Sequence, residues 1–249
     1  MHFRLKVWRQ NSPWEEGGLR EYQATDIQGD MSVLEMLDQV NEGLIQKGEE
    51  PIAFESDCRE GICGMCGLAI NGVPHGGREK TTTCELRMRH FREGQTIVIE
   101  PFRSGAYTVI KDLIVDRTPL DRIMQSGGYI STRVGSSPEA NIIPVPLQNQ
   151  EEAMDAAECI GCGACAAACP NASAMLFVGA KVSHLALLPQ GRPEAARRVQ
   201  AMLRTMQQEG FGSCSNHYEC QAVCPKGVDV KFIARLNREF LKSLPQEKD

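Results

Sequence analysis

Residues 58–66 read CREGICGMC and residues 159–170 read CIGCGACAAACP. The first run is Cys58-x4-Cys63-x2-Cys66, completed downstream by Cys84. This is the spacing of plant-type 2Fe–2S sites, where four thiolates hold two bridged irons. Gly61, Gly64 and Gly67 stand between the ligands. Glycine tolerates strained backbone angles and lets main-chain N–H groups approach the sulfides, and such hydrogen bonds help set the reduction potential. The second run, Cys159-x2-Cys162-x2-Cys165-x3-Cys169-Pro170, is the bacterial ferredoxin pattern. Its fourth cysteine ligates a different cluster from the first three.

That pattern demands remote partners, and residues 214–225 supply them as Cys214-x5-Cys220-x3-Cys224-Pro225. Cys224, like Cys169, ends a C-x3-C before a proline, so the two are natural exchange partners. On that exchange Cys159, Cys162, Cys165 and Cys224 hold a 4Fe–4S cluster. Cys169, Cys214 and Cys220 remain, and three thiolates suit a 3Fe–4S cluster, which lacks the corner iron a fourth ligand would hold. All eleven cysteines are used. Structural zinc is the bland alternative, but it favours two C-x2-C-like pairs separated by a dozen or more residues. The dense 159–169 run does not divide that way.

The 249 residues suffice for two domains, with 42% hydrophobic and 24% charged residues as in an ordinary globular protein. A net charge of −5 gives no basic excess for nucleic acid. No apolar run approaches the eighteen residues of a membrane span; Ala174–Val178 and Leu185–Leu188 are short and interrupted. No secretory or transit signal is expected either. The cysteines are therefore read as metal-binding in a reducing compartment rather than as disulfides.

Phe3, Leu5 and Val7 alternate with Arg4 and Lys6, which predicts a strand beginning almost at Met1. Ser32 and Glu35 form a capping-box signature, Val33, Leu37, Val40 and Leu44 recur at helical spacing, and Gly48 supplies a stop. Thr96–Glu100 reads as a strand closed by Pro101. Helices are expected over Glu151–Glu158, Pro193–Glu209 and Val230–Leu241. The fold class is α+β: a β-grasp, plant-type ferredoxin-like domain over 1–115, a linker or crossing over 116–150, and an all-α, bacterial-ferredoxin-like domain over 151–249. Ser131–Gln150, rich in Ser, Pro, Asn and Gln, marks the crossing.

The remaining candidates are weaker. His217 lies between Cys214 and Cys220, where it could contact a quinone or stand as a polar loop residue at a subunit interface. His75 is expected to be exposed, and His2, His90 and His184 structural. Arg59 either places charge beside the first cluster or makes a surface salt bridge. Met31, Met36, Met65 and Met88 are read as packing residues, and Arg87, Arg89 and Arg92 as a solvated face. No G-x-G-x-x-G follows a strand, so no dinucleotide site is expected. No catalytic residue is assigned.

The segments CREGICGMC, VIKDLIVD (109–116), CIGCGACAAACP and CSNHYECQAVCP (214–225) together resemble the iron–sulfur subunit of succinate dehydrogenase and fumarate reductase. The resemblance runs along essentially the whole chain and keeps the order. It implies an electron-transfer subunit of a membrane-bound complex. A flavoprotein partner carries FAD, and 2Fe–2S, 4Fe–4S and 3Fe–4S clusters lead in that order to a quinone at a membrane anchor. It also implies a peripheral position on the cytoplasmic side of the bacterial inner membrane. Two departures stand out. The gap between Cys66 and Cys84 is longer than is usual, which predicts an extended loop over Gly72–Thr81. The ubiquinone-reducing type has a His directly after the first cysteine of the C-x5-C and a Trp soon after the first Cys-Pro; here those places are Ser215 and Ala174. The pattern is closer to the menaquinone-linked branch, whose anchors often bind haem b. Another quinone- or thiol-linked reductase that borrowed the same wiring is the second reading.

Overall fold

The alternation at the start of the chain becomes strand β1 (Phe3–Arg9), which buries Phe3, Leu5 and Val7 and leaves Arg4 exposed. The computed structural model describes residues 1–131, 139–142 and 145–244. Residues 132–138 and 143–144 of the expected crossing lie outside the described residues, as do 245–249.

Strand β2 (Gly18–Ala24) runs antiparallel beside β1, with Phe3 opposite Ala24 and Arg9 opposite Gly18. Helix α1 (Val33–Gln46) carries the expected capping box: the Glu35 amide donates to Ser32 Oγ at 3.2 Å and the Ser32 amide to Glu35 Oε2 at 2.5 Å. Its buried face is Val33, Leu34, Met36, Leu37, Val40 and Leu44, and burying each Leu or Val side chain contributes on the order of 1.5–3 kcal/mol. The helix stops at Lys47, followed by Gly48 at φ +72°. Strands β3 (Leu68–Ile70), β4 (Val73–Pro74) and β5 (Thr96–Pro101) complete a five-stranded sheet of order β2-β1-β5-β3-β4, in which β1 and β5 are parallel.

The Gly72–Thr81 loop differs from expectation. Asn71 (φ +51°) and Gly72 (φ +79°) form a tight turn that opens it as the β3–β4 hairpin, the use to which an Asn-Gly pair is suited. Its far end reaches the C-terminal half, where the Lys80 side chain lies over Gly227.

A small hairpin, β6 (Val109–Lys111) with β7 (Ile114–Val115), leads into α2 (Thr118–Gly127). Then follow α3 (Leu147–Ala157), α4 (Ala164–Ala168), α5 (Met175–Leu187), α6 (Ala195–Gln208), α7 (Glu219–Ala222) and α8 (Lys231–Ser243). After Val115 no strand occurs among the described residues. Helix α5 is the centre, with α3, α6 and α8 packed around it. Helix α2, which nothing in the sequence anticipated, packs on α6. There the buried Arg198 donates to the carbonyls of Gly127 (2.9 Å), Gly191 (2.7 Å) and Tyr129 (2.9 Å) and faces Glu194 at 3.6 Å.

The chain builds one apolar core between α1 and the sheet. A second core joins Phe102, Tyr107, Val115, Leu120 and Ile123 to Cys162, Val178, Val199 and Met202. The segment following β5 is thus packed into the helical half, which brings residues 58–67 against residues 159–163.

Candidate functional site

The loop between α1 and β3 holds Cys58, Cys63 and Cys66, and the turn after the hairpin brings in Cys84; Cys66 and Cys84 are buried and the other two half-buried. Gly61 (φ +74°) and Gly64 (φ +75°) adopt left-handed conformations that turn main-chain amides inward. The Glu60 amide donates to Cys58 Sγ and the Met65 amide to Cys63 Sγ, both at 3.4 Å. Amides aimed at sulfur favour the thiolate: those of Glu60 and Ile62 hold Cys58 below the ordinary thiol range. Cys66 and Cys84 share a hydrogen bond that pushes Cys66 up and draws Cys84 down to about 6, helped by Thr82, whose Oγ1 lies 3.1 Å from Cys84 Sγ. Arg59 is paired with Asp38 on α1 at 2.5 Å, a salt bridge at the surface.

In the helical half, Cys159, Cys162, Cys165 and Cys224 line one recess, together with Phe177 and Val228. Cys169, Cys214 and Cys220 line another, a cavity of about 470 Å³ shared with Ser215, His217 and Tyr218. Burial pushes the Cys162 thiol up to about 12, Cys220 to about 11 and Cys165 well above its ordinary value. The Val228 amide donates to Cys224 Sγ and the Asn216 amide to Cys214 Sγ, each at 3.4 Å. Asn171 ties the two cysteine segments together by donating to the Ser213 carbonyl at 3.0 Å and to Ser215 Oγ at 2.5 Å. Among the described residues no group of three or more His, Cys, Asp or Glu side chains gathers around a single-ion position. The donors lining each recess are soft sulfurs, the ligand type that iron–sulfur clusters take.

Several smaller expectations change. His75 is buried rather than exposed: its Nδ1 accepts from the Thr83 amide at 3.2 Å, and its ring packs edge-on to Phe102. The β3–β4 hairpin draws it in. Met36 and Met88 are core residues, but Met65 Sδ lies 3.0 Å from Arg117 Nη2. Arg87 and Arg89 are exposed and paired with Glu35 and Asp30. His217 is exposed and lines the three-cysteine cavity. Ala174 is buried at the start of α5, and Ser215 is held by Asn171. Sequence reasoning missed Tyr107, which donates to the Gly163 carbonyl at 3.2 Å, and Arg117, which reaches the Gly64 and Cys162 carbonyls. Neither carries a spacing signal; only their place just before and just after VIKDLIVD could have drawn attention.

A family model described as a 2Fe-2S iron-sulfur cluster binding domain matches residues 4–122, and one described as a 4Fe-4S dicluster domain matches residues 155–228. The succinate dehydrogenase iron-sulfur subunit of Bacillus subtilis is 30% identical over 206 residues, covering 78% of this chain and 74% of its own length. The chain belongs to the succinate dehydrogenase and fumarate reductase iron–sulfur subunit family. The fumarate reductase iron-sulfur subunit of Escherichia coli O6:H1 is 27% identical over 72% of this chain and 69% of its own. A chain of the Mycobacterium smegmatis Sdh1 complex in the apo form superposes with a TM-score of 0.63 at 21% identity, covering 100% of this chain and 98% of that one, a likeness of fold. As a member of this family the chain is an oxidoreductase subunit whose work is electron transfer. Among the described residues no helix is long and apolar enough to cross a membrane.

Proposed function

We propose that the chain relays single electrons between an FAD-containing flavoprotein subunit and a quinone at a membrane anchor. Its assembly is a succinate:quinone oxidoreductase or quinol:fumarate reductase. Cys58, Cys63, Cys66 and Cys84 hold the 2Fe–2S cluster, Cys159, Cys162, Cys165 and Cys224 the 4Fe–4S cluster, and Cys169, Cys214 and Cys220 the 3Fe–4S cluster. The observation that carries the reading is the pairing of recesses. Cys224 shares one with the first three cysteines of the 159–169 run, while Cys169 shares the other with Cys214 and Cys220.

Clusters held by these cysteines would accept and pass electrons one at a time, taking singly the two electrons that a reduced flavin carries. The protein's part is to hold and tune them. Amides of Glu60, Met65, Asn216 and Val228 point at thiolate sulfurs, and burial lowers the dielectric around Cys162 and Cys165, both of which set potential. The three-cysteine cavity is the exit side toward the quinone, with menaquinone favoured because Ser215 and Ala174 stand where the ubiquinone type has His and Trp. An anchor carrying haem b fits the same branch, and a peripheral position on the cytoplasmic side fits the family resemblance.

We read the N-terminal unit as a β-grasp and the C-terminal unit as an α-helical ferredoxin, divided at 1–115, 116–150 and 151–249. The parallel β1–β5 pair with α1 between them supports the first label. The packing of α2 on α6 anchors the crossing on the helical side. Purification of the complex tests the whole reading. About nine irons per chain with matching sulfide are expected, and succinate should reduce EPR-visible clusters. Stoichiometric zinc without sulfide, or clusters indifferent to succinate, would overturn it.

A further inference from the structure

Where the first cysteine loop meets the second, main chain touches main chain. Gly64, between Cys63 and Cys66, lies so close that a Cβ there would sit 2.5 Å from the Ile160 carbonyl oxygen and 3.1 Å from the Cys162 nitrogen. One charged side chain enters this seam. Arg117, at the start of α2, keeps only 13% of its side chain exposed. Its Nη1 donates to the Gly64 carbonyl and lies 3.5 Å from the Cys162 carbonyl. Its Nη2 faces Glu55 Oε2 at 3.3 Å and Met65 Sδ at 3.0 Å. The backbone beneath it is fixed, because Asp116 Oδ1 accepts from the Thr118 amide at 2.9 Å and Pro119 stands in the first turn. Tyr107, from the same stretch, grips the Gly163 carbonyl of the second loop.

We infer that Arg117 is a positioning residue for electron transfer: it pins the Gly64 and Cys162 loops together and places one positive charge between two adjacent iron–sulfur sites. The inference rests on the 2Fe–2S and 4Fe–4S assignments proposed above. Each cluster becomes more negative on reduction, so a partly buried cation between them stabilises both reduced forms, screened little by solvent. Glu55 offsets part of that charge. Arginine suits the place because its planar fork can bind two carbonyls and a carboxylate at once, which a lysine ammonium on a flexible stem does less well.

Three variants, two of them of opposite expected sign, test it in the assembled complex, by redox titration followed with EPR. Arg117→Gln should lower both midpoint potentials together, each by roughly tenfold in the reduction equilibrium, or about 59 mV for one electron. Arg117→Lys should recover most of that shift. Glu55→Gln, which leaves the cation unopposed, should raise both potentials. Hydrogen exchange at residues 64–66 and 160–163 gives an independent readout of the seam, expected to open in Arg117→Gln and less in Arg117→Lys. If both clusters are present and only one potential moves, or neither does, the shared-charge role is wrong while the cluster assignments survive. If iron analysis and EPR find no such pair of clusters, both fall.

Discussion

The His75 imidazole, just past the β3–β4 hairpin, is held by Thr83 in the turn that carries Cys84. Its Nδ1 accepts from the Thr83 amide at 3.2 Å and meets Thr83 Oγ1 at 2.9 Å, so the ring proton sits on Nε2, which is buried with no partner among the described residues. Burial, with a smaller push from the Arg117 charge, lowers its pKa from 6.5 to about 4. The folded chain therefore keeps this ring neutral while an unfolded chain would protonate it below its ordinary value. The stabilisation is present in full above pH 6.5 and is lost as pH falls toward 4, a total on the order of 3 kcal/mol. His75→Asn, which retains an acceptor near Nδ1, should flatten that dependence. Thermal melts at pH 7, 6 and 5, read in the visible cluster absorbance, should show the wild-type midpoint falling more steeply than the variant's. Equal slopes would remove His75 as the responsible group. No spacing rule announces this residue, because its burial depends on the hairpin that carries it.

At the scale of elements, the pieces that frame the clusters are the least able to stand alone. Helix α4 has five residues and α7 four, neither has a side-chain cap, and each begins from a left-handed residue, Gly163 or Tyr218. Such lengths do not hold a helix in water. The thiols in and beside them also resist ionisation, with Cys165 on α4 pushed well above its ordinary value, Cys162 just before it near 12 and Cys220 on α7 near 11, so cluster assembly must release protons and supplies order in return. Removing iron with a chelator under reducing conditions should therefore erase hydrogen-exchange protection over 159–170 and 214–227, while capped α1 keeps its own. Protection unchanged in the chelated protein would mean that the apolar cores alone hold these loops. The same physics explains what could be read in advance. Helices α1, α6 and α8 were legible because each has one buried stripe and one wet face. Helix α5 hid because it is enclosed on nearly all sides, with even Ser183 buried and only Lys181 and His184 forming a narrow, half-buried polar edge. Strand β2 hid for the opposite reason, since Gly18–Arg20 and Glu21 are exposed on the sheet's edge and leave no apolar alternation.

For the whole molecule, the organising feature is that chain order and spatial order disagree among the cysteines. Cys169 follows Cys165 by four positions yet lies with Cys214 and Cys220, and Cys224 lies with Cys159, Cys162 and Cys165. The packing of α3, α6 and α8 around α5 brings the two segments together, and Asn171 laces the turn after Cys169 to Ser213 and Ser215. The cysteine spacing suggested this exchange, because the fourth cysteine of a ferredoxin run ligates a different cluster from the first three; the seam at Arg117 carries no such signal, since it depends on how two domains meet. The exchange has a consequence that separates it from a simple block arrangement. Cys224→Ser should disturb the 4Fe–4S EPR signal of the reduced complex and leave the 3Fe–4S signal of the oxidised complex largely intact. Cys169→Ser should do the reverse, although each residue belongs in sequence to the other group. Serine keeps the size and a weak oxygen ligand, so each cluster is altered rather than the fold removed, and the untouched signal serves as the internal control. Were Cys169→Ser to perturb the 4Fe–4S signal instead, the ligands would be three consecutive blocks and the two recesses would not be the cluster sites.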